Sequence, residues 1–181
     1  LQLAFIKDKE ITNKLTNDVD EMEKMLNEYL EFSSSQINEK TDVFQLDQLL
    51  ADIVSKYDSD KIKLSIENEI TYKGRFNSLK RCLTNLVNNA LSYGNKAEIS
   101  LKNSMNNILI FIDDDGPGIS EEEKKNVIKP FYRIDKSRSQ NKTGVGLGLS
   151  IASDIIKSHG GDISLETSPQ KGLRVKISLP S

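Results

Sequence analysis

The chain has 181 residues, and 25 Lys and Arg against 27 Asp and Glu leave a formal net charge of −2. That balance excludes the basic footprint of a nucleic-acid binder or an anionic-membrane binder. A single cysteine, Cys82, excludes an internal disulfide framework, and a single histidine, His159, leaves almost no room for a histidine-based metal site or a Ser-His-Asp triad.

Residues 1–36 contain neither Gly nor Pro. Val19, Met22, Leu26, Tyr29, Leu30 and Phe32 recur at steps of mainly three and four, the spacing of one apolar helical stripe. Leu1, Leu3, Phe5 and Ile6 read as the tail of an earlier helix, with a turn in the polar stretch 7–16. This predicts a truncated helical hairpin over 1–36 whose stripe needs a partner. The start at Leu1 rather than Met fits an excised fragment. No run approaches the roughly 20 apolar residues of a membrane-spanning helix, and no signal peptide is visible.

Ser33-Ser34-Ser35 breaks the pattern and reads as a linker. Residues 44–56 are predicted as a short amphipathic helix. Residues 61–66 alternate as a half-buried strand does, and 70–72 are expected to extend it or pair with it. A strong helix follows over 77–93, with Leu79, Cys82, Leu83, Leu86, Val87 and Ala90 on one side. Residues 97–101 and 108–112 read as an antiparallel pair around a turn at 103–107. The stretch 113–143 reads as mostly loop, with one short helix near 121–128; a loop that long is usually functional. A helix over 147–158 ends at Gly160-Gly161, and a hairpin over 163–167 and 173–179 turns at 169–172. Hairpins and helices without regular strand-helix-strand alternation predict a two-layer α+β sandwich.

Three patterns carry chemistry. Asn85 and Asn89 are four apart and share a helix face. Their amide oxygens are hard neutral donors suited to Mg²⁺, whose other ligands are phosphate oxygens and water. Asp114-x-Gly116-x-Gly118 follows an apolar strand. A carboxylate there can accept from an exocyclic amine, while the glycines let a flat ring approach the backbone. The same Asp-rich run could instead be a surface loop or a Ca²⁺ site, although Pro117 and the lack of spaced acidic residues disfavour an EF-hand type. Gly144-Val145-Gly146-Leu147-Gly148-Leu149 opens a helix, where free N–H groups and the helix dipole favour phosphate. It is neither a Walker A loop nor a dinucleotide fingerprint. Between the last two patterns lie Arg133, Lys136, Arg138 and Lys142, cations able to neutralise a polyphosphate.

In this order the motifs resemble those of bacterial sensor histidine kinases. Residues 85–89 resemble the N box, Asp114-x-Gly116-x-Gly118 the G1 box, Pro130-Phe131-Tyr132-Arg133 the F box, and Gly144-x-Gly146-x-Gly148 the G2 box. Leu79-Lys80-Arg81, Tyr93-Gly94 and residues 114–119 resemble the EnvZ-like osmosensor subgroup. The resemblance implies a Bergerat ATP-binding fold: a mixed sheet of about five strands on about three helices over 37–181, after the remnant of a dimerisation and phosphotransfer hairpin. It implies ATP and Mg²⁺ as ligands, with Asn85 and Asn89 on the metal, Asn85 and Arg133 closest to the chemistry, and Tyr93 near adenine. By the same resemblance Asp114 takes the adenine amine beside Gly116, Gly118 and Ile119. Phe131, Arg133 and Arg138 border the phosphates with Gly144, Gly146, Leu147, Gly148 and Leu149. A lid over about 132–143 is expected to be mobile without nucleotide.

The implied reaction moves the ATP γ-phosphoryl group to a histidine and then to an OmpR-like response-regulator aspartate. The phosphoacceptor box is absent, so the fragment is not expected to phosphorylate itself. His159, before two glycines at a helix C-terminus, is expected to meet the helix dipole there rather than act as acceptor. The parent is expected to be a homodimer whose cytoplasmic portion this is, reaching the bacterial inner membrane only through other segments. Ser92 stands where Lys or Arg is frequent, which removes one phosphate contact, and Val145 where Thr is common, which removes a hydroxyl contact; neither change is expected to abolish the site. A Bergerat ATPase is disfavoured because Asn85 occupies the place of its water-activating Glu. A degenerate nucleotide-sensing or dimerisation module is the other alternative.

Overall fold

The computed structural model describes residues 39–134 and 146–181, together with Ile11, Thr12, Leu15, Thr16, Val19, Met22, Glu23 and Leu26. The chain divides into two compact units, residues 1–38 and 39–181. In the first unit the eight described residues are helical. Ile11, Leu15, Val19, Met22 and Leu26, at steps of four, four, three and four, are all exposed. The rest of the expected hairpin, Tyr29, Leu30 and Phe32 included, lies outside the described residues, as do 135–145.

The second unit runs β1 (Asp42–Gln45), α1 (Leu46–Val54), β2 (Ile62–Ile66), β3 (Thr71–Gly74), α2 (Phe76–Tyr93), β4 (Ala97–Ser104), β5 (Asn107–Asp114), α3 (Glu121–Lys124), α4 (Gly148–Ser158), β6 (Asp162–Thr167) and β7 (Leu173–Pro180). Five strands form one sheet in the order β2-β4-β5-β7-β6, and β1 and β3 form a separate antiparallel pair. The β2–β4 pairing is parallel and the others antiparallel, which makes the sheet mixed. Helix α2 packs against both α1 and α4, and all three helices meet strands of this sheet, the two-layer α+β sandwich expected from the sequence.

The alternation in β4, β5 and β7 sends Ile99, Leu101, Ile110, Ile112, Val175, Ile177 and Leu179 into the core. Leu79, Cys82, Leu83, Leu86 and Val87 meet them from α2. Burial pushes the Cys82 thiol far above its ordinary value, so it packs as a small apolar group. The first turn of α2 has no cap from its own Arg75; the Glu39 carboxylate accepts instead from the Asn77 N–H at 2.5 Å and from the Ser78 N–H at 3.0 Å. A negative charge is favourable at that helix end.

Several boundaries differ from the sequence reading. Phe44 and Gln45 belong to β1 and not to the following helix. β3 pairs with β1, Phe44 opposite Tyr72, and not with β2. The reason is aromatic packing: Phe44 meets Tyr72 edge-on at 6.1 Å and Phe76 at 5.1 Å. The β4–β5 turn is only Met105-Asn106, because Asn103, Ser104 and Asn107 stay in the ladder. Asp113 and Asp114 end β5 and do not begin a loop.

His159 does sit beside the C-terminus of α4, but not as the cation that meets a helix dipole. Its Nδ1 bonds the Ile155 carbonyl at 2.7 Å, and its Nε2 accepts from the Arg75 N–H at 3.0 Å. An accepting Nε2 requires the neutral ring. Burial pushes its pKa down, aided by the Arg75 charge, against the Ile155 carbonyl and Glu39. The ring therefore fastens the β3–α2 connection to the end of α4.

Candidate functional site

The site is assembled by glycines that permit close approach. Gly148 opens α4, and a Cβ there would lie 3.9 Å from the Asn85 Cβ, so α4 begins beside the first asparagine. Asn85 and Asn89 are both half-buried on α2. Asn88 points elsewhere: it is exposed, and its Oδ1 accepts from the Tyr57 hydroxyl at 2.7 Å. Tyr93 closes α2 with half its surface open. A Cβ on Gly116 would come within 2.9 Å of the Tyr93 carbonyl oxygen, which brings the end of α2 against the Asp114-Gly116-Gly118 loop. Asp115 fixes the same corner, its Oδ1 accepting from the N–H groups of Asn95 at 2.6 Å and Lys96 at 2.8 Å. Those bonds, Lys96 first, hold its carboxyl below the usual range against partial desolvation.

Asp114 is 5% exposed. Its Oδ1 accepts from the Gly116 N–H at 2.8 Å and the Leu173 N–H at 3.0 Å. No described residue donates to Oδ2, so that oxygen has the capacity to accept a further hydrogen bond. Burial raises the pKa of this carboxyl; the two N–H donors oppose the shift, and Asp115 and Asp113 add to it. Gly118 adopts φ 70°, a left-handed conformation that favours glycine, and lets Ile119 follow half-buried.

On the far side, Phe131 is exposed at φ 63° and donates its N–H to the Gly146 carbonyl at 3.1 Å. Gly146 is itself at φ 78°, and a Cβ there would lie 2.9 Å from the Tyr132 carbonyl oxygen. The F-box and G2-box segments thus meet at the foot of residues 135–145. Arg133 is half-buried beside this junction. Leu147 and Leu149 have buried side chains, so only their backbone groups are available to a ligand. Helix α4 has no side-chain cap, and its first intrahelical donor is Ile151, bonded to Leu147. Among the described residues nothing accepts from its leading N–H groups, an arrangement that suits an anion. Arg138 and Gly144 lie outside the described residues.

The sequence reading places the β6–β7 turn but misses its contact with Asp114. Ser168 is buried, its hydroxyl donates to the Asp114 carbonyl at 2.7 Å, and it accepts from the Gly172 N–H at 2.9 Å. Ser-Pro-Gln-Lys-Gly signals a turn, but nothing in it points to an aspartate 54 residues away.

Residues 74–181 match the family described as histidine kinase-, DNA gyrase B-, and HSP90-like ATPase. The chain belongs to that family. The sensor histidine kinase GtrS of Pseudomonas aeruginosa is 34% identical over 99% of this chain and 38% of its own length. CpxA of Escherichia coli is 43% identical over 59% of this chain and 24% of its own. The chain thus spans well under half of these sensor kinases. Among solved structures, the catalytic domain of histidine kinase ThkA superposes with a TM-score of 0.68 at 26% identity, over 78% of this chain and 95% of that one. The histidine kinase domain of the Escherichia coli osmosensor EnvZ gives 0.60 at 32%, over 80% and 91%. EnvZ stands beside CpxA and other sensor kinases as a relative, so the chain falls in that broad group without being narrowed to EnvZ. In this histidine kinase-like ATPase domain, no described group of three or more His, Cys, Asp or Glu could hold a metal. The half-buried side chains of Asn85 and Asn89 carry hard, neutral amide oxygens, a donor type that suits Mg²⁺.

Proposed function

We propose that residues 39–181 are the ATP-binding catalytic portion of a sensor histidine kinase. The observation that carries the reading is the Asp114 carboxylate, buried at a strand end with one oxygen held by two backbone donors and the other open beside Gly116. A ligand amine such as the adenine N6 group would complete it. Tyr93 and Ile119 border the base. The phosphates run toward the open N-terminus of α4, Gly146 and Arg133, with Arg138 and Gly144 as further contacts. Asn85 and Asn89 hold Mg²⁺, which supplies charge neutralisation on the phosphate oxygens when bound.

Transfer breaks the bond between the γ-phosphorus and its bridging oxygen and forms one to a histidine nitrogen, releasing ADP. The protein's task is positioning and charge neutralisation. His159 is the only histidine of these 181 residues, and both its ring nitrogens are engaged. The acceptor is therefore supplied from elsewhere in a parent protein, from the helical hairpin to which the exposed stripe at 11–26 belongs. That stripe suits a homodimeric bundle. Sensor histidine kinases among the relatives support relay to a response regulator. The resemblance of the motifs extends the proposal to an OmpR-like regulator and to a place on the cytoplasmic side of the bacterial inner membrane; no described helix is long and apolar enough to cross one.

Calorimetric titration with ATP and ADP, with and without Mg²⁺, tests this reading. Saturable binding is expected, strengthened by Mg²⁺ and weakened in Asp114→Asn. No binding by the unsubstituted chain would favour a degenerate module.

A further inference from the structure

The turn between β6 and β7 touches the candidate base-reading residue at its backbone carbonyl and at one carboxylate oxygen. The Ser168 hydroxyl donates to the Asp114 carbonyl at 2.7 Å and accepts from the Gly172 N–H at 2.9 Å. The next N–H, of Leu173, reaches the Asp114 carboxylate itself at 3.0 Å. The turn is closed on itself by the Ser168 N–H on the Gly172 carbonyl at 3.0 Å and the Lys171 N–H on the Ser168 carbonyl at 2.9 Å. A Cβ on Gly172 would fall 2.2 Å from the Asp114 carbonyl oxygen and 2.4 Å from Oδ1, so glycine is what allows the approach. A Cβ on Gly118 would lie 3.3 Å from the Lys171 carbonyl oxygen and 3.4 Å from that of Gly172, so the glycine loop lies against the same turn.

We propose that Ser168 is a positioning residue for purine selection: through the Asp114 carbonyl and the Gly172–Leu173 backbone it sets the direction in which the open carboxylate oxygen faces the base. The proposal rests on the reading of Asp114 as the adenine acceptor. A hydroxyl has one hydrogen to give and lone pairs to receive, and Ser168 uses both capacities on groups directly joined to the carboxylate or to its donor. Loss of the hydroxyl leaves a buried C=O and a buried N–H without that partner. The peptide planes on either side of the contact then turn to find other partners. The carboxylate stays, but its angle to the ring changes. The effect must therefore appear on the group at purine position 6, and less on the phosphates, which lie at the other end of the site.

The experiment compares ADP with IDP, whose hypoxanthine carries an oxygen where adenine carries the amine. A carboxylate can accept from the amine and cannot accept from the oxygen. Dissociation constants are measured for the unsubstituted chain and for Ser168→Ala, with thermal melting of each as a check on folding. The unsubstituted chain should prefer ADP by at least about tenfold. Ser168→Ala should weaken ADP by about tenfold and IDP by less than about threefold, so the preference narrows. Should Ser168→Ala fail to fold, Ser168→Cys takes its place, a side chain of similar shape with a weak donor, and the same narrowing is expected. Equal weakening of both nucleotides, or no change in either, overturns the positioning role and leaves the turn as structural support alone. Failure of the unsubstituted chain to bind ADP overturns the nucleotide reading itself, and this proposal with it. ADP binding without any preference over IDP removes Asp114 as the base reader and also overturns the proposal.

Discussion

Asp113 and Asp114 are neighbours on one strand, each 5% exposed, and they do opposite things. Successive side chains of a strand leave on opposite faces. Asp113 meets Arg174, whose Nε and Nη2 both donate to it at 2.7 Å. The same guanidinium lies 4.9 Å over the Phe111 ring. Asp114 meets no cation among the described residues, only backbone N–H groups on one of its oxygens. Equal burial therefore says nothing of role. A carboxylate whose two oxygens are both taken by an arginine fork is finished as a structural element. A carboxylate held by neutral donors on one side still has a bond to make.

The sharpest break in that comparison is Asp114→Asn. An asparagine can keep the Oδ1 bonds but presents an amine where the ligand amine would sit. ADP affinity should fall about 50-fold by calorimetry, the loss of a hydrogen bond to a charged group. Stability should move the other way. Burial raises the Asp114 pKa, so ionisation costs the folded state, and the cost grows as pH rises through that value. At neutral pH the asparagine variant should melt no lower than the parent, and higher if the two N–H bonds persist. Arg174→Ala inverts the pattern. It leaves Asp113 buried without its fork and should cost about 2 kcal/mol, seen as a denaturation midpoint lowered by several degrees. ADP affinity should stay within about threefold.

Titration sharpens the same contrast. Binding needs the Asp114 carboxylate, so ADP affinity should fall as pH falls through its raised pKa. The smallest effect belongs to His159. Its folded pKa is lowered, so the unfolded chain takes the proton first, and stability should be lost as pH falls below the ordinary histidine value of about 6.5. Melting temperatures measured downward from neutral pH should show this slope in the parent, and His159→Gln should flatten it. A slope unchanged in the variant would mean that the ring does not hold the β3–α2 connection.

Long periodic segments were legible without coordinates. The apolar face of α2, the alternation of β4, β5 and β7, and the glycines after α4 each place an element unaided, because the pattern spans many residues and the burial is one-sided. Short elements were not. The four residues of β1 run straight into α1, so Phe44 looks like one more apolar helical position. The partner of β3 depends on aromatic rings brought from residues 44 and 76, which alternation in a four-residue strand cannot encode. The parallel sense of β2 is likewise silent in its sequence. In the site, residue types with a strong chemical signature, the paired asparagines and the Asp-x-Gly-x-Gly run, were visible. Ser168 and Gly172 were not, because they act through backbone contacts across 54 residues or more. His159 was placed correctly at a helix end but with the wrong charge, since its burial by the β3–α2 connection is a tertiary effect.

The Leu173 N–H that holds Asp114 has a consequence for synthesis. The aspartate emerges from the ribosome long before its donor does. A nascent chain that ends short of the β6–β7 turn already carries the asparagines, the aspartate and the glycine-rich helix start, yet its aspartate lacks the second hydrogen bond and the serine behind it. On the proposed reading, competence for the base arrives only when β7 docks. A ligand that binds the finished fold and not the unfinished one stabilises only the former, so nucleotide in the surrounding solution would favour chains that include β7 over those that stop before it.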